Sequence, residues 1–100
     1  MIETVWTYRV KAKKTVEFER RYAADGDWAQ LFRRAAGYQG TTLYKDIQTP
    51  GRYSTVDRWE ELAALKAFKV QCAGEYESLD RLCSELTESE EHVGIFEALR

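Results

Sequence analysis

Cysteine, histidine and proline are scarce in this sequence of 100 residues, which has two, one and one of them respectively. No Cys-x-x-Cys pair or Cys/His cluster occurs, and the single histidine is His92. A structural zinc site within one chain needs four such ligands and is therefore excluded, and no metal is expected. Cys72 and Cys83 both fall on the apolar phase of a helical pattern, so we interpret them as reduced, small core residues.

The chain also lacks an excess of charge of either sign, and it lacks long apolar runs. The formal net charge is only −2, and lysine and arginine are scattered without a basic, aromatic-containing stripe, which argues against nucleic-acid binding. No apolar run approaches the roughly 20 residues of a membrane span. The first residues, "MIETVWTYRV", alternate in polarity and do not resemble a signal peptide. We expect a cytoplasmic protein without a membrane partner.

Aromatic residues are abundant, at 13% of the chain, with three Trp and six Tyr. Large aromatic side chains bury much area, so they can secure the core of a small domain or line an apolar ligand pocket. The length allows one hydrophobic core. We therefore expect residues 1–100 to form a single domain.

The first strand and first helix are indicated by their periodicity. Residues 2–11 alternate, with one face made of Ile2, Thr4, Trp6, Tyr8 and Val10. A helical pattern follows over 15–36, with a kink or break expected near Gly26.

A hairpin around Pro50-Gly51 is predicted next, since proline suits the first central position of a turn and glycine the second. If Thr49 pairs with Arg52, Tyr44 faces Asp57 and Thr42 faces Trp59 on one side of the sheet. The opposite side would then carry Leu43, Ile47 and Val56.

A second helical region with a bend near Gly74 is predicted over 61–86, from apolar residues spaced three and four apart. Thr87 begins a capping-box pattern, and residues 92–99 read as a last strand. The order βαββαβ is typical of an α+β, ferredoxin-like fold whose antiparallel sheet has helices on one face. The uncovered face would carry apolar residues, so we predict a homodimer packed sheet against sheet.

The segments "VWTYRV", "GYQGTTLYKD" and "RYSTVDRWE" resemble the antibiotic biosynthesis monooxygenase (ABM) family of the dimeric α+β barrel superfamily. The resemblance covers nearly the whole chain, although Glu61 stands where the family usually has Ser. It implies oxidation of quinol- or anthrone-like aromatic substrates by molecular oxygen, without metal, haem or flavin. The alternative is a non-catalytic dimeric module for small-molecule binding or assembly.

A related branch of that superfamily cleaves haem with an Asn, a Trp and a His. Trp59 matches the Trp, but position 69 is lysine and the chain contains no asparagine. The resemblance therefore argues against haem degradation by that mechanism.

Two residues are candidates for catalysis, and each has a structural alternative. Asp57 is a candidate general base for an acidic phenol or anthrone proton, or it pairs with Tyr44. His92 is the only side chain with an unperturbed pKa near neutrality and is a second candidate base, or a surface residue.

Five residues are candidates for substrate binding. Trp59 is expected either to stack against a flat substrate or to plug the core. Tyr44 and Thr42 would lie beside it, with Tyr44 bonding a substrate oxygen or completing a buried polar pair. Trp6 and Tyr8 would add aromatic walls or pack the core.

Overall fold

Residues 1–99 are described by the computed structural model, and their strands form one antiparallel four-stranded sheet. The order in the sheet is β2-β3-β1-β4, with the first and third strands at the centre, so the predicted ferredoxin-like topology is confirmed. The strands are β1 (Ile2–Val10), β2 (Tyr38–Lys45), β3 (Arg52–Trp59) and β4 (Thr87–Glu97).

Four α-helices and two short 3₁₀ turns connect the strands. The helices are α1 (Thr15–Tyr22), α2 (Asp27–Phe32), α3 (Leu62–Gln71) and α4 (Ala73–Cys83). The 3₁₀ turns are Ala12–Lys14 and Ser84–Leu86. None of these helices within residues 1–99 has the length and apolar character needed to cross a lipid bilayer.

The helices lie on one face of the sheet, called here the covered face. Side chains on β3 alternate, and Tyr53, Thr55, Asp57 and Trp59 are buried on this face while the residues between them are not. Even-numbered residues of β1 are paired with them and share the face. The other side of the sheet, called the open face, has no element packed on it within residues 1–99.

The predicted break in the first helical region is confirmed at Gly26, between α1 and α2. A Cβ there would lie 2.5 Å from the carbonyl oxygens of Arg20 and Arg21, so only glycine fits. The Arg21 guanidinium bridges the break by contacting Glu17 at 2.9 Å and Asp27 at 2.8 Å. This ion-paired corner directs α2 across the sheet.

The hairpin has the predicted turn but not the predicted register. Arg52 N donates to Thr49 O at 3.2 Å, and Gly51 has the positive φ of 85° that the turn requires. Before it, however, Asp46 Oδ1 accepts hydrogen bonds from the backbone N–H groups of Gln48 and Thr49, at 2.8 and 3.0 Å. This Asx turn carries the chain away from β3 before Pro50 is reached.

The longer loop corrects the face assignment of β2. Thr41 lies opposite Asp57, whereas the prediction placed Tyr44 there, a slip of three residues. An odd slip exchanges the two faces of a strand. Thr42 and Tyr44 therefore lie on the open face, and their predicted position beside Asp57 and Trp59 is wrong.

The apolar residues assigned to the open face are corrected in the same way. Leu43 lies on the covered face against the core, and Ile47 is 95% exposed in the loop. Val56 does lie on the open face, opposite Val5 of β1 and Thr42 of β2.

The last strand begins earlier than predicted. β4 starts at Thr87, where a capping box was expected, because Lys11 N bonds to Leu86 O and Val10 pairs with Thr87. A β-bulge follows: Val5 pairs with Gly94 but Trp6 with His92, so Val93 is the extra residue. The bulge brings His92 onto the covered face beside Trp6.

Candidate functional site

Two small cavities lie between the covered face and the helices. The Tyr8 cavity, of about 40 Å³, is lined by Tyr8, Thr41, Thr55 and Glu90 among others. The Trp59 cavity, of about 30 Å³, is lined by Trp59, Thr4, Lys69 and His92 among others. The two cavities share four lining residues, Trp6, Phe32, Asp57 and Tyr76.

Asp57 is a buried carboxylate, only 7% exposed, between the two cavities. Thr41 donates to its Oδ1 at 2.6 Å. No hydrogen bond within residues 1–99 reaches its Oδ2, which is not sealed from the surface. Burial raises the pKa of Asp57 to about 6, while the Thr41 hydrogen bond and the charge of Arg58 act in the opposite direction. The carboxylate is therefore a stronger base than an ordinary aspartate and remains ionised at neutral pH.

Thr41 is in turn hydrogen-bonded to Tyr38. The hydroxyl of Tyr38 lies 2.5 Å from Thr41 Oγ1, and burial raises the pKa of Tyr38. Its ring packs edge-on against Trp59, with centroids 5.4 Å apart. Tyr38, Thr41 and Asp57 thus form one hydrogen-bonded row along the covered face.

Trp59 is completely buried between the sheet and the helices. Its ring centroid lies 5.7 Å from that of Phe32 and 5.5 Å from that of Phe68, so most of the ring packs the core. Its Nε1 has no hydrogen-bond partner within residues 1–99, and the residue lines the smaller cavity. The ring therefore plugs the core and leaves one donor unused, while its stacking against a substrate stays a prediction.

His92 reaches the same cavity from the edge strand. Its Nε2 is 3.0 Å from Thr4 Oγ1, and its ring lies on Trp6 with centroids 4.7 Å apart and planes tilted by 33°. Thr4 is paired across the sheet with Asp57. The structure therefore brings the two candidate bases, Asp57 and His92, to opposite sides of Thr4.

Trp6 and Tyr8 lie on the covered face, where the alternation of β1 placed them. Trp6 is half-buried and walls both cavities. Tyr8 is buried, and its hydroxyl is 2.9 Å from Thr55 Oγ1. Burial strongly raises the pKa of Tyr8, so the hydroxyl stays protonated.

Two of the predicted binding residues are not part of this site. Tyr44 is 49% exposed on the open face, and Thr42 Oγ1 accepts a hydrogen bond there from Arg58 at 3.0 Å. Thr41 occupies the position that was predicted for Tyr44. The sequence signal for this change of register is "DIQT" at 46–49. An aspartate side chain favours an Asx turn because it can accept a hydrogen bond from the backbone N–H two residues further along.

Three residues of the site were not among the predicted site residues. Tyr76 comes from α4, and Asp80 and Glu90 line the Tyr8 cavity near its rim. Burial raises the pKa of Glu90, and the nearby charge of Asp80 adds to this. Within the described part of the chain, no group of three or more His, Cys, Asp and Glu residues is arranged to hold a metal ion.

Solved structures share this fold over nearly the full chain. SnoaB, a cofactor-independent oxygenase from Streptomyces nogalater, is 20% identical, with a TM-score of 0.74 over 99% of this chain and 93% of that one. A candidate antibiotic biosynthesis monooxygenase from Deinococcus radiodurans is 17% identical, with a TM-score of 0.78 over 100% and 94%. One from Bordetella bronchiseptica is 24% identical, with a TM-score of 0.76 over 99% and 97%. Identities this low establish the fold alone.

The family is established by the sequence itself. No curated protein matches the chain. The family model for antibiotic biosynthesis monooxygenase matches residues 1–70, which include β1 to β3 and the Trp6, Thr41, Asp57 and Trp59 positions. Tyr76, Glu90 and His92 lie beyond the matched segment. The chain therefore belongs to the antibiotic biosynthesis monooxygenase family.

Proposed function

We propose that the protein is a cofactor-independent monooxygenase that oxidises a small quinol- or anthrone-like aromatic substrate with molecular oxygen. The observation that carries this proposal is Asp57, a buried carboxylate with one unpaired oxygen, beside cavities walled by aromatic rings. Burying such a group costs free energy that a purely structural residue would avoid. SnoaB, which shares the fold, is a cofactor-independent oxygenase.

The proposed chemistry begins with proton removal. Asp57 takes a proton from the acidic CH₂ of an anthrone-like ketone. The resulting carbanion transfers one electron to O₂, and the two radicals combine to a peroxide anion that takes the proton back from Asp57. The hydroperoxide that forms loses water, so that R₂CH₂ + O₂ gives R₂C=O + H₂O. A base with a pKa of about 6 suits this step near neutral pH. We propose that His92, whose Nε2 is 3.0 Å from Thr4 Oγ1, assists in proton transfer.

Substrate entry requires a change of shape. Ligand pockets usually enclose about 300–1,000 Å³, whereas the two cavities enclose about 40 and 30 Å³. Both cavities are lined by Trp6 and Tyr76. Both of these side chains are only half-buried, so their outward movement would merge the cavities beside Asp57.

The small volume favours a second candidate function, a non-catalytic dimeric module for small-molecule binding or assembly. In that case Trp59 and its neighbours act as a packed core, as their ring contacts already indicate. The two functions differ in whether Asp57 has a chemical task.

Oxygen consumption separates the two candidates. We expect uptake above the uncatalysed rate with at least one member of a panel of anthrones and hydroquinones. One ¹⁸O atom from ¹⁸O₂ should appear in the ketone and the other in water. Asp57→Asn should lower the rate by about 100-fold or more, whereas Asp25→Asn, an exposed loop aspartate, should not change it. Equal rates for wild type and Asp57→Asn across the panel would favour the non-catalytic module.

We also propose that two copies associate through their open faces. The centre of this face carries the half-buried Val5 and Val56, and Tyr44 on β2 is 49% exposed. Arg58 is paired with Glu3 at 3.2 Å, and Arg9 and Arg52 lie opposite each other at one end of the face. An apolar sheet centre whose nearest charged pair is formed within the chain is suited to an isologous interface.

Light scattering at micromolar concentration should give twice the chain mass of 11.6 kDa. Val56→Lys should shift the mass to that of one chain, because it places an unpaired charge at the interface centre. Ile47→Lys, in the exposed loop, is the matched control and should leave the dimer intact. A single-chain mass for the wild type would refute the interface.

A further inference from the structure

Tyr38 and Thr41 lie on the same face of β2 although they are three positions apart. In a regular strand, residues i and i+3 point to opposite faces. Here a β-bulge intervenes: Tyr38 pairs with Trp59 but Gly40 with Arg58, so Gln39 is the extra residue. Gly40 has a φ of 126°, which favours glycine, although a Cβ there would meet no atom within 4 Å. The backbone is bent at this point, and the bend brings the Tyr38 hydroxyl to Thr41.

The direction of each hydrogen bond in the row follows from which groups have a proton to donate. An ionised carboxylate can only accept, so the single hydroxyl proton of Thr41 is donated to Asp57 Oδ1 at 2.6 Å. Thr41 then has only lone pairs left for Tyr38, so the Tyr38 hydroxyl is the donor in their 2.5 Å contact. Tyr38 thus fixes the orientation of the Thr41 hydroxyl.

We propose that Tyr38 and Thr41 are positioning residues: Thr41, held by Tyr38, occupies Oδ1 of Asp57 and leaves Oδ2 as its single basic atom for a substrate proton. This inference rests on the proposed function for its use of Oδ2, but the positioning itself does not. Neither residue need touch the substrate. Thr41 holds the plane of the carboxylate, and Tyr38 keeps Thr41 pointing at it.

The same row keeps the base ionised. A hydrogen bond donated to a carboxylate favours its charged form, and Thr41 opposes the effect of burial on the pKa of Asp57. Other titratable or charged groups around Asp57 are Tyr8, Tyr22, Arg58, Lys69, Tyr76, Asp80, Glu90 and His92. They are unchanged in variants of the row, so a difference between variants reports on the hydrogen bonds alone.

The decisive measurement is the titration of the Asp57 side-chain carboxyl by ¹³C NMR, which needs no substrate. The wild type should titrate with a midpoint near 6. Thr41→Val should raise the midpoint by about one pH unit or more, and Tyr38→Phe by less, because the Thr41 hydroxyl remains. Thr41→Ser keeps the hydroxyl and should return the midpoint towards the wild-type value. Thr7→Val, on the open face of β1, is the matched control and should leave the midpoint unchanged.

The proposal would be overturned if Thr41→Val kept the wild-type midpoint and the folded Thr41→Ser protein titrated with that same midpoint. With an oxidised substrate in hand, the pH-rate profile of Thr41→Val should move to higher pH by the same amount as the NMR midpoint. If the NMR midpoint moves but no panel compound is oxidised, the positioning row stands and the proposed function fails. The two inferences can therefore fail separately.

Discussion

The two ends of the covered face are built from the same strands but differ in polarity. At one end, Tyr8, Phe18, Tyr22 and Tyr53 form a ring cluster with centroids 4.1 to 5.2 Å apart. At the other, Asp57 keeps an oxygen without a hydrogen bond, and Trp59 Nε1 has no partner within residues 1–99. The ring cluster supplies stability, and the Asp57 end retains unsatisfied polar groups that a ligand could use.

The largest expected effect lies in the ring cluster. Phe18 is fully buried and stacks on Tyr22 at 4.1 Å, so Phe18→Ala should lower the free energy of unfolding by about 4 kcal/mol. Val16, on the same helix, is 83% exposed, and Val16→Ala should change the free energy of unfolding by less than about 0.5 kcal/mol. Urea denaturation at one fixed protein concentration checks both, since a dimer's stability depends on concentration.

A loss below about 1 kcal/mol in Phe18→Ala would mean that the cluster can collapse onto the vacated volume. The contrast between the two ends would then be one of polarity and not of packing.

The second effect has the opposite sign and depends on pH. The pKa of Asp57 is raised from 3.8 to about 6 in the folded protein. The folded state therefore binds more protons between these values, and the contribution of Asp57 to stability is present below about pH 4 and lost as pH rises through 6. Since each pKa unit is about 1.4 kcal/mol, Asp57→Asn should be more stable than wild type by roughly 2–3 kcal/mol at pH 8.

The difference between Asp57→Asn and wild type should shrink towards zero at pH 4, measured by denaturation at a series of pH values. Asp25→Asn, on an exposed loop, should run parallel to wild type throughout. A pH-independent difference for Asp57→Asn would show that the buried charge is compensated in the folded protein. The Asp57 end would then carry no stability penalty.

Much of this contrast is visible in the sequence, but the part that sets the chemistry is not. Alternation in β1 correctly placed Trp6 and Tyr8 on the covered face, because period-two patterns are local. The Asx turn at Asp46 changed the register of β2, so Thr41 and not Tyr44 lies opposite Asp57. One side-chain-to-backbone contact in a loop thus decides which residue bonds the carboxylate.

The position of His92 illustrates a second limit. Its strand was predicted, but its face depends on the bulge at Val93, and a bulge arises from pairing with β1. The cavity volumes depend on how the aromatic side chains of the helices pack against one another, and sequence periodicity does not describe this packing.

The smallest expected effect lies where the two ends meet, at the buried hydrogen bond between Tyr8 and Thr55, 2.9 Å long. Tyr8→Phe should cost about 1 kcal/mol of unfolding free energy, because a buried hydroxyl loses its partner. Thr55→Val should cost a similar amount, and the double variant clearly less than the sum, since both partners are then apolar. Additive losses in this double-mutant cycle would contradict a direct bond. Water in the adjoining Tyr8 cavity would then satisfy both hydroxyls, and the packed region would end at Phe18 and not at Tyr8.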